Sequence, residues 1–154
     1  MSSDSIEREV RIDAPVETVW SIVTEPEQIA RWFAGYAEVD LRPGGDLLFK
    51  FDSGIPGKGT VEKVEPPNLF SFRWISPEPE RDMDAAQGHY TTVEFTLEPV
   101  GEGTLLRVAE SGFDALEGTP EKNAALAERH DGGWGMFLDR LAELAPSADV
   151  PAGR

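Results

Sequence analysis

The chain has 154 residues, 40% of them hydrophobic and 28% charged, which suits one domain with a real core and excludes a compositionally disordered chain. Cysteine is absent, so a disulfide framework, a thiolate metal site and a cysteine nucleophile are all excluded. A count of 14 basic against 29 acidic residues gives a formal charge of −15, a field that repels phosphate backbones and anionic membrane surfaces, so nucleic acid is not an expected partner.

Met1-Ser2-Ser3-Asp4 carries no basic apolar leader, and no apolar run approaches the ~18 residues that span a bilayer. A cytoplasmic protein without membrane insertion is the expectation. From Ile6 to Ile12 apolar and charged residues nearly alternate, which predicts a half-buried strand with Arg8 as the exception on its inner row. Asp13 is placed to cap a helix, Pro15 suits a first turn, and Val16, Val19, Trp20 and Val23 follow at helical spacing. A second short helix is expected from Thr24, whose spacing to Glu27 suits a capping box, with Ile29, Trp32 and Phe33 on one side.

A β-rich middle follows Gly35. Its predicted strands are Tyr36–Leu41, Asp46–Phe51, Gly59–Val64, Leu69–Ile75, Tyr90–Leu97 and Thr104–Glu110, separated by turn signals such as Arg42-Pro43-Gly44-Gly45 and Pro66-Pro67-Asn68. Connections this short imply antiparallel pairing. The polar stretch from Ser76 to His89 is expected to be a mobile loop, more often disorder than a lid at such a length. The last element is predicted over Pro120–Leu144, capped by Thr119, with an inner stripe of Leu126, His130, Gly133, Phe137, Leu141 and Leu144 and with Trp134 and Leu138 on its flank.

This order predicts an α+β fold, β-α-α-β6-α. An antiparallel sheet of about seven strands curls over one long C-terminal helix, the only element long enough to cover its apolar face. One domain over residues 5–145 is expected, with a flexible tail at 146–154. The segment Gly132-Gly133-Trp134-Gly135 is the most informative. Each helical glycine costs about 1 kcal/mol relative to alanine, so the group calls for close backbone approach, a bend or room for a ligand.

Several segments together resemble the START-like (SRPBCC, helix-grip) superfamily of polyketide cyclases, pollen-allergen proteins and lipid-transfer domains, in the branch named for the activator of heat-shock-protein-90 ATPase. They are Ala14-Pro15-Val16-Glu17-Thr18-Val19-Trp20, Trp32-Phe33, Asp40-Leu41-Arg42-Pro43-Gly44-Gly45, Gly59-Thr60-Val61, Glu65-Pro66-Pro67, Phe72-Arg73-Trp74, Gly103-Thr104 and Gly133-Trp134. The resemblance implies a helix-grip fold with a cavity between sheet and C-terminal helix. It does not specify a ligand.

Three functions compete. In the first, the cavity binds a hydrophobic or amphipathic small molecule against walls drawn from Trp20, Trp32, Phe33, Phe49, Phe51, Phe72, Trp74, Phe95, His130, Trp134 and Phe137. Each of these aromatics taken alone is better read as ordinary core. The second is a cyclase- or hydrolase-type enzyme in the same cavity. His130, on the inward stripe, is its one weak catalytic candidate, and His89 reads as exposed. Whether Glu110 and Arg107 point inward is not settled by alternation. The third is chaperone interaction, which the resemblance alone suggests. The family's separate chaperone-binding domain would precede the strand at Ile6, and the expectation is that it is missing. Two histidines far apart in sequence do not make a metal site, no cofactor is implied, and the oligomeric state is not legible.

Overall fold

Period-two alternation builds β1 (Ser5–Ile12), and Pro15 switches the chain into α1 (Val16–Thr24) and α2 (Pro26–Trp32). The computed structural model describes residues 5–51, 56–75, 90–113, 116 and 119–147. After α2 come β2 (Tyr36–Val39), β3 (Asp46–Lys50), β4 (Pro56–Glu65), β5 (Leu69–Ile75), β6 (Thr91–Val100), β7 (Gly103–Ser111) and α3 (Pro120–Leu144), with a closing 3-10 turn at Ala145–Ser147. The predicted loop from Ser76 to His89, including His89 itself, and the tail from residue 148 lie outside the described residues.

The seven strands form one sheet in the order β1-β7-β6-β5-β4-β3-β2, and every neighbouring pair is antiparallel. β1 and β2 lie on opposite edges, so α1 and α2 carry the chain across the whole width of the sheet. The covered face meets α3, where Trp134, Leu138 and Leu141 share one core with Phe72, Phe95 and Val108. Each such side chain contributes roughly 1.5–3 kcal/mol by leaving water. This is the predicted α+β helix-grip arrangement. The turn before β3 needs its glycines: Gly44 has φ +86°, and a Cβ on Gly45 would lie 2.1 Å from the Asp40 carbonyl oxygen.

The helix ends correct two expectations. Pro15, not Asp13, is the residue that precedes α1, and no side chain caps it. Thr24 forms no capping box; its hydroxyl donates to the Trp20 carbonyl at 2.7 Å and closes α1, while Glu25 precedes α2. A Thr hydroxyl can bond backward to a carbonyl one turn earlier, and here Pro26 at the next helix's first position makes a fresh start possible without a cap. Thr119 does cap α3, accepting from the Lys122 amide at 3.2 Å.

The phase of α3 also differs from the prediction. Its buried line runs through Asn123, Leu126, Ala127, Trp134, Leu138 and Leu141, whereas His130, Gly133, Phe137 and Leu144 are half-buried. Trp134 and Leu138 therefore occupy the centre, and Gly133 and Phe137 the flank. The three glycines divide accordingly. A Cβ on Gly135 would stand 3.0 Å from the Arg8 guanidinium, which crosses α3 there to bond Asp131 at 2.8 Å. Arg8 thus uses its inner-row position on an edge strand to reach over the helix. A Cβ on Gly132 would meet nothing within 4 Å, and one on Gly133 only the Phe137 ring at 3.9 Å.

Gly132→Ala and Gly133→Ala should each raise unfolding free energy by about 1 kcal/mol in denaturant titration. Gly135→Ala should gain less than either, because the new methyl displaces Arg8 from its exposed pair with Asp131.

Candidate functional site

Alternation along β7 puts Thr104, Leu106, Val108 and Glu110 on the covered face. Glu110 is thereby carried under α3, where its side chain is completely removed from solvent. Four side chains converge on it. The His130 ring bonds Oε1 through Nδ1 at 2.8 Å, and the Trp134 indole N–H donates to the same oxygen at 2.9 Å. On Oε2 the Trp74 indole N–H donates at 3.0 Å and the Thr91 hydroxyl at 2.6 Å. Indole nitrogens only donate, so the centre is built for an acceptor on both oxygens, which is a carboxylate.

Burial alone pushes the Glu110 carboxyl up, but the hydrogen bond and charge of His130, with the bonds from Thr91 and Trp134, outweigh it. The net result holds the group below the ordinary glutamate value of 4.5. The carboxylate in turn fixes His130, whose ring is also packed edge-on against Phe113 at 5.5 Å. Sequence reasoning left the direction of Glu110 open. Its place on one row with Leu106 and Val108 was the available signal, masked by the rule that carboxylates face water. Arg107, one row over, faces outward and pairs with Glu9 at 3.0 Å.

Glu110→Gln should lower unfolding free energy by on the order of 3 kcal/mol, because either amide orientation sets its NH2 group against an indole N–H. A depressed folded-state pKa stabilises above the unfolded value and is lost as pH falls through the folded value. The stability gap between wild type and Glu110→Gln should therefore narrow as pH is lowered below 4.5, read by denaturant melts across an acid pH series.

The expected wall aromatics are brought together. Phe33 is the hub: it stacks on Trp134 at 5.1 Å and 4°, and meets Phe49, Phe51 and Phe137 edge-on at 5.1, 5.1 and 4.9 Å. Trp32, Trp74, Phe72 and Phe95 join through further ring contacts, and His130 joins through Trp74 at 6.2 Å. Trp20 joins through Phe70, which the sequence reading had not singled out.

These rings do not all border open space. The gap between Phe33, Phe49, Phe70, Phe72 and Phe95 amounts to only about 10 Å3, room for one water at most. A larger cleft of about 400 Å3 opens where the end of α2 and the following turn meet α3. Trp32, Phe33, Phe51 and Phe137 from the expected set line it, together with Arg31, Met136 and Arg140, which were not foreseen. Those three are brought together only by the approach of α2 to α3. Among the described residues, no cluster of three or more His, Asp or Glu side chains could hold a metal, and no helix is long and apolar enough to cross a membrane.

No curated protein matches the chain. Among solved structures, protein MLL2253 from Mesorhizobium loti is 26% identical, with 95% of this chain and 99% of that one covered at a TM-score of 0.76. CalU16 from Micromonospora echinospora, in its solution structure, is 32% identical over 97% of this chain and 69% of its own, with a TM-score of 0.70. DynU16, from the dynemicin biosynthetic locus, is 28% identical over 94% of this chain at a TM-score of 0.72, and the chain spans 48% of its length. A family model described as activator of Hsp90 ATPase homolog 1-like protein matches residues 13–145. That match takes in every element from α1 to α3, and with the helix-grip architecture it means that the chain belongs to the activator of Hsp90 ATPase homolog 1-like family of START-like proteins.

Proposed function

We propose that this domain binds a hydrophobic or amphipathic small molecule in the space between α3, the end of α2 and the sheet edge at Phe51. The observation that carries the reading is the cleft of about 400 Å3 whose aromatic side, Trp32, Phe33, Phe51 and Phe137, is continuous with the core. That volume lies within the range of small-molecule sites, and its lining joins aromatic side chains to polar groups. About 200 Å2 of apolar ligand surface buried there would supply on the order of 5 kcal/mol before the cost of association, so apolar burial alone gives no better than sub-millimolar affinity and polar contacts must add to it. The occurrence of a similar structure in a biosynthetic locus supports a small-molecule role.

Acid–base chemistry at His130 is the second reading, and one observation favours it: Nδ1 is held by a buried carboxylate at 2.8 Å, as an imidazole needs if it is to present one defined tautomer. Binding is preferred because the ring is wedged between Trp74 and Phe113 with its side chain 10% exposed. Following the mass of a bound ligand during incubation separates the two. An unchanged mass leaves binding alone, whereas a product that disappears in His130→Gln would favour chemistry.

Titration with the neutral fluorescent probe N-phenyl-1-naphthylamine should give one saturable site. Phe137→Ala should weaken it about tenfold, a loss of ~1.4 kcal/mol. Glu94→Ala, on the face of β6 away from the core residues Val93 and Phe95, should leave it unchanged.

A further inference from the structure

The chain carries a formal charge of −15, so carboxylates are abundant, and several arginines elsewhere in the structure have found them. Arg8 pairs with Asp131 at 2.8 Å, Arg42 with Asp40 at 2.8 Å and Arg107 with Glu9 at 3.0 Å. Among the described residues, Arg31 and Arg140, both on the cleft between α2 and α3, pair with no carboxylate. Arg31 reaches only the Gln28 amide oxygen, at 3.3 Å. Arg140 makes one long bond, 3.4 Å, to the Trp32 carbonyl and lies over the Phe137 ring at 5.7 Å. Most of the N–H donors of two guanidinium groups are left to water at the mouth of an aromatic cleft.

Beside them the cleft is apolar: Phe33 and Phe137 form its floor, and Met136, 52% exposed, stands at its edge. An exposed, flexible thioether next to rings suits an adaptable apolar surface. Cations without carboxylates beside a greasy wall, on a protein otherwise strongly negative, form a two-part site. We propose that the cleft takes an amphipathic anion, a carboxylate on an apolar body, with the head between Arg31 and Arg140 and the body against Phe33, Phe137 and Met136. This rests on the ligand-binding reading above and adds the chemistry of the head group. A guanidinium offers two parallel N–H groups that match a carboxylate, and it is less strongly hydrated than an ammonium, so it binds such a head at low desolvation cost.

The test is displacement of N-phenyl-1-naphthylamine by three ligands that share a ten-carbon chain: decanoate, decanol and decylammonium. Decanoate should bind at least tenfold more tightly than either of the others, and its advantage should shrink as salt is raised. The double variant Arg31→Gln/Arg140→Gln should lose at least tenfold for decanoate and less than threefold for decanol. Arg42→Gln/Arg107→Gln removes the same formal charge from outside the cleft and should change neither. Should decanol match decanoate, or decylammonium exceed it, the anion assignment is overturned while the ligand-binding reading survives. If the naphthylamine probe itself fails to bind, both fall. The head-group series on the wild-type protein decides the matter even where the double variant does not fold.

Discussion

A carboxylate that water does not reach holds the two layers of this protein in register. Glu110 comes from β7, and its partners come from β5 (Trp74), β6 (Thr91) and α3 (His130 and Trp134). Hydrophobic contact between helix and sheet is non-directional and tolerates sliding or rotation of the helix. Hydrogen bonds to both oxygens of one fixed carboxylate do not. In a low-dielectric interior such a network is strong when complete and costly when any member is missing. It therefore selects one azimuth for α3, with Trp134 on the buried line and Phe137 and Gly133 turned toward α2.

That azimuth decides where space remains. With its indole nitrogen tied to Glu110, Trp134 presents its ring flat against Phe33 at 5.1 Å, and the stack closes the middle of the helix–sheet interface. Phe33 in turn is placed by the chain leaving α2, whose Trp32 is anchored by its own indole bond to the Ile22 carbonyl at 2.9 Å. Among the described residues an opening of about 400 Å3 lies toward the end of α2, where α3 offers Met136, Phe137 and Arg140.

The order of elements was legible in the sequence because turn and cap chemistry is local. Thr119-Pro120 marked the start of α3, and the Pro- and Gly-rich turns separated the strands close to their observed limits. What failed were choices that depend on a neighbour. Thr24 had two local bonding options, and the shorter link back to Trp20 prevailed. The stripe on α3 was assigned by counting apolar residues, but its phase is set by a bond from Trp134 to a residue 24 positions earlier. Glu110 was invisible as a core residue because burial of a charge is favourable only when its partners are known, and those partners lie on three other elements. The aromatics lie in one connected cluster, yet composition could not say which of them border space and which fill it.

The edge of the sheet adds a last constraint. β1 lies at one border, and its Arg8 crosses α3 at Gly135 to reach Asp131, so α3 is gripped on its β1 side by a charged strap. On its α2 side the corresponding polar link is the long bond from Arg140 to the Trp32 carbonyl. The two arginines are equivalent in charge but not in commitment. Arg8 has an ionised partner at 2.8 Å, whereas Arg140 has a neutral carbonyl at a distance where little hydrogen-bond energy is gained. A carboxylate entering the cleft would exchange that weak neutral bond for a charge-assisted one, about twice as strong, without disturbing Glu110 or the Phe33–Trp134 stack. Binding at this end would therefore need no opening of the core.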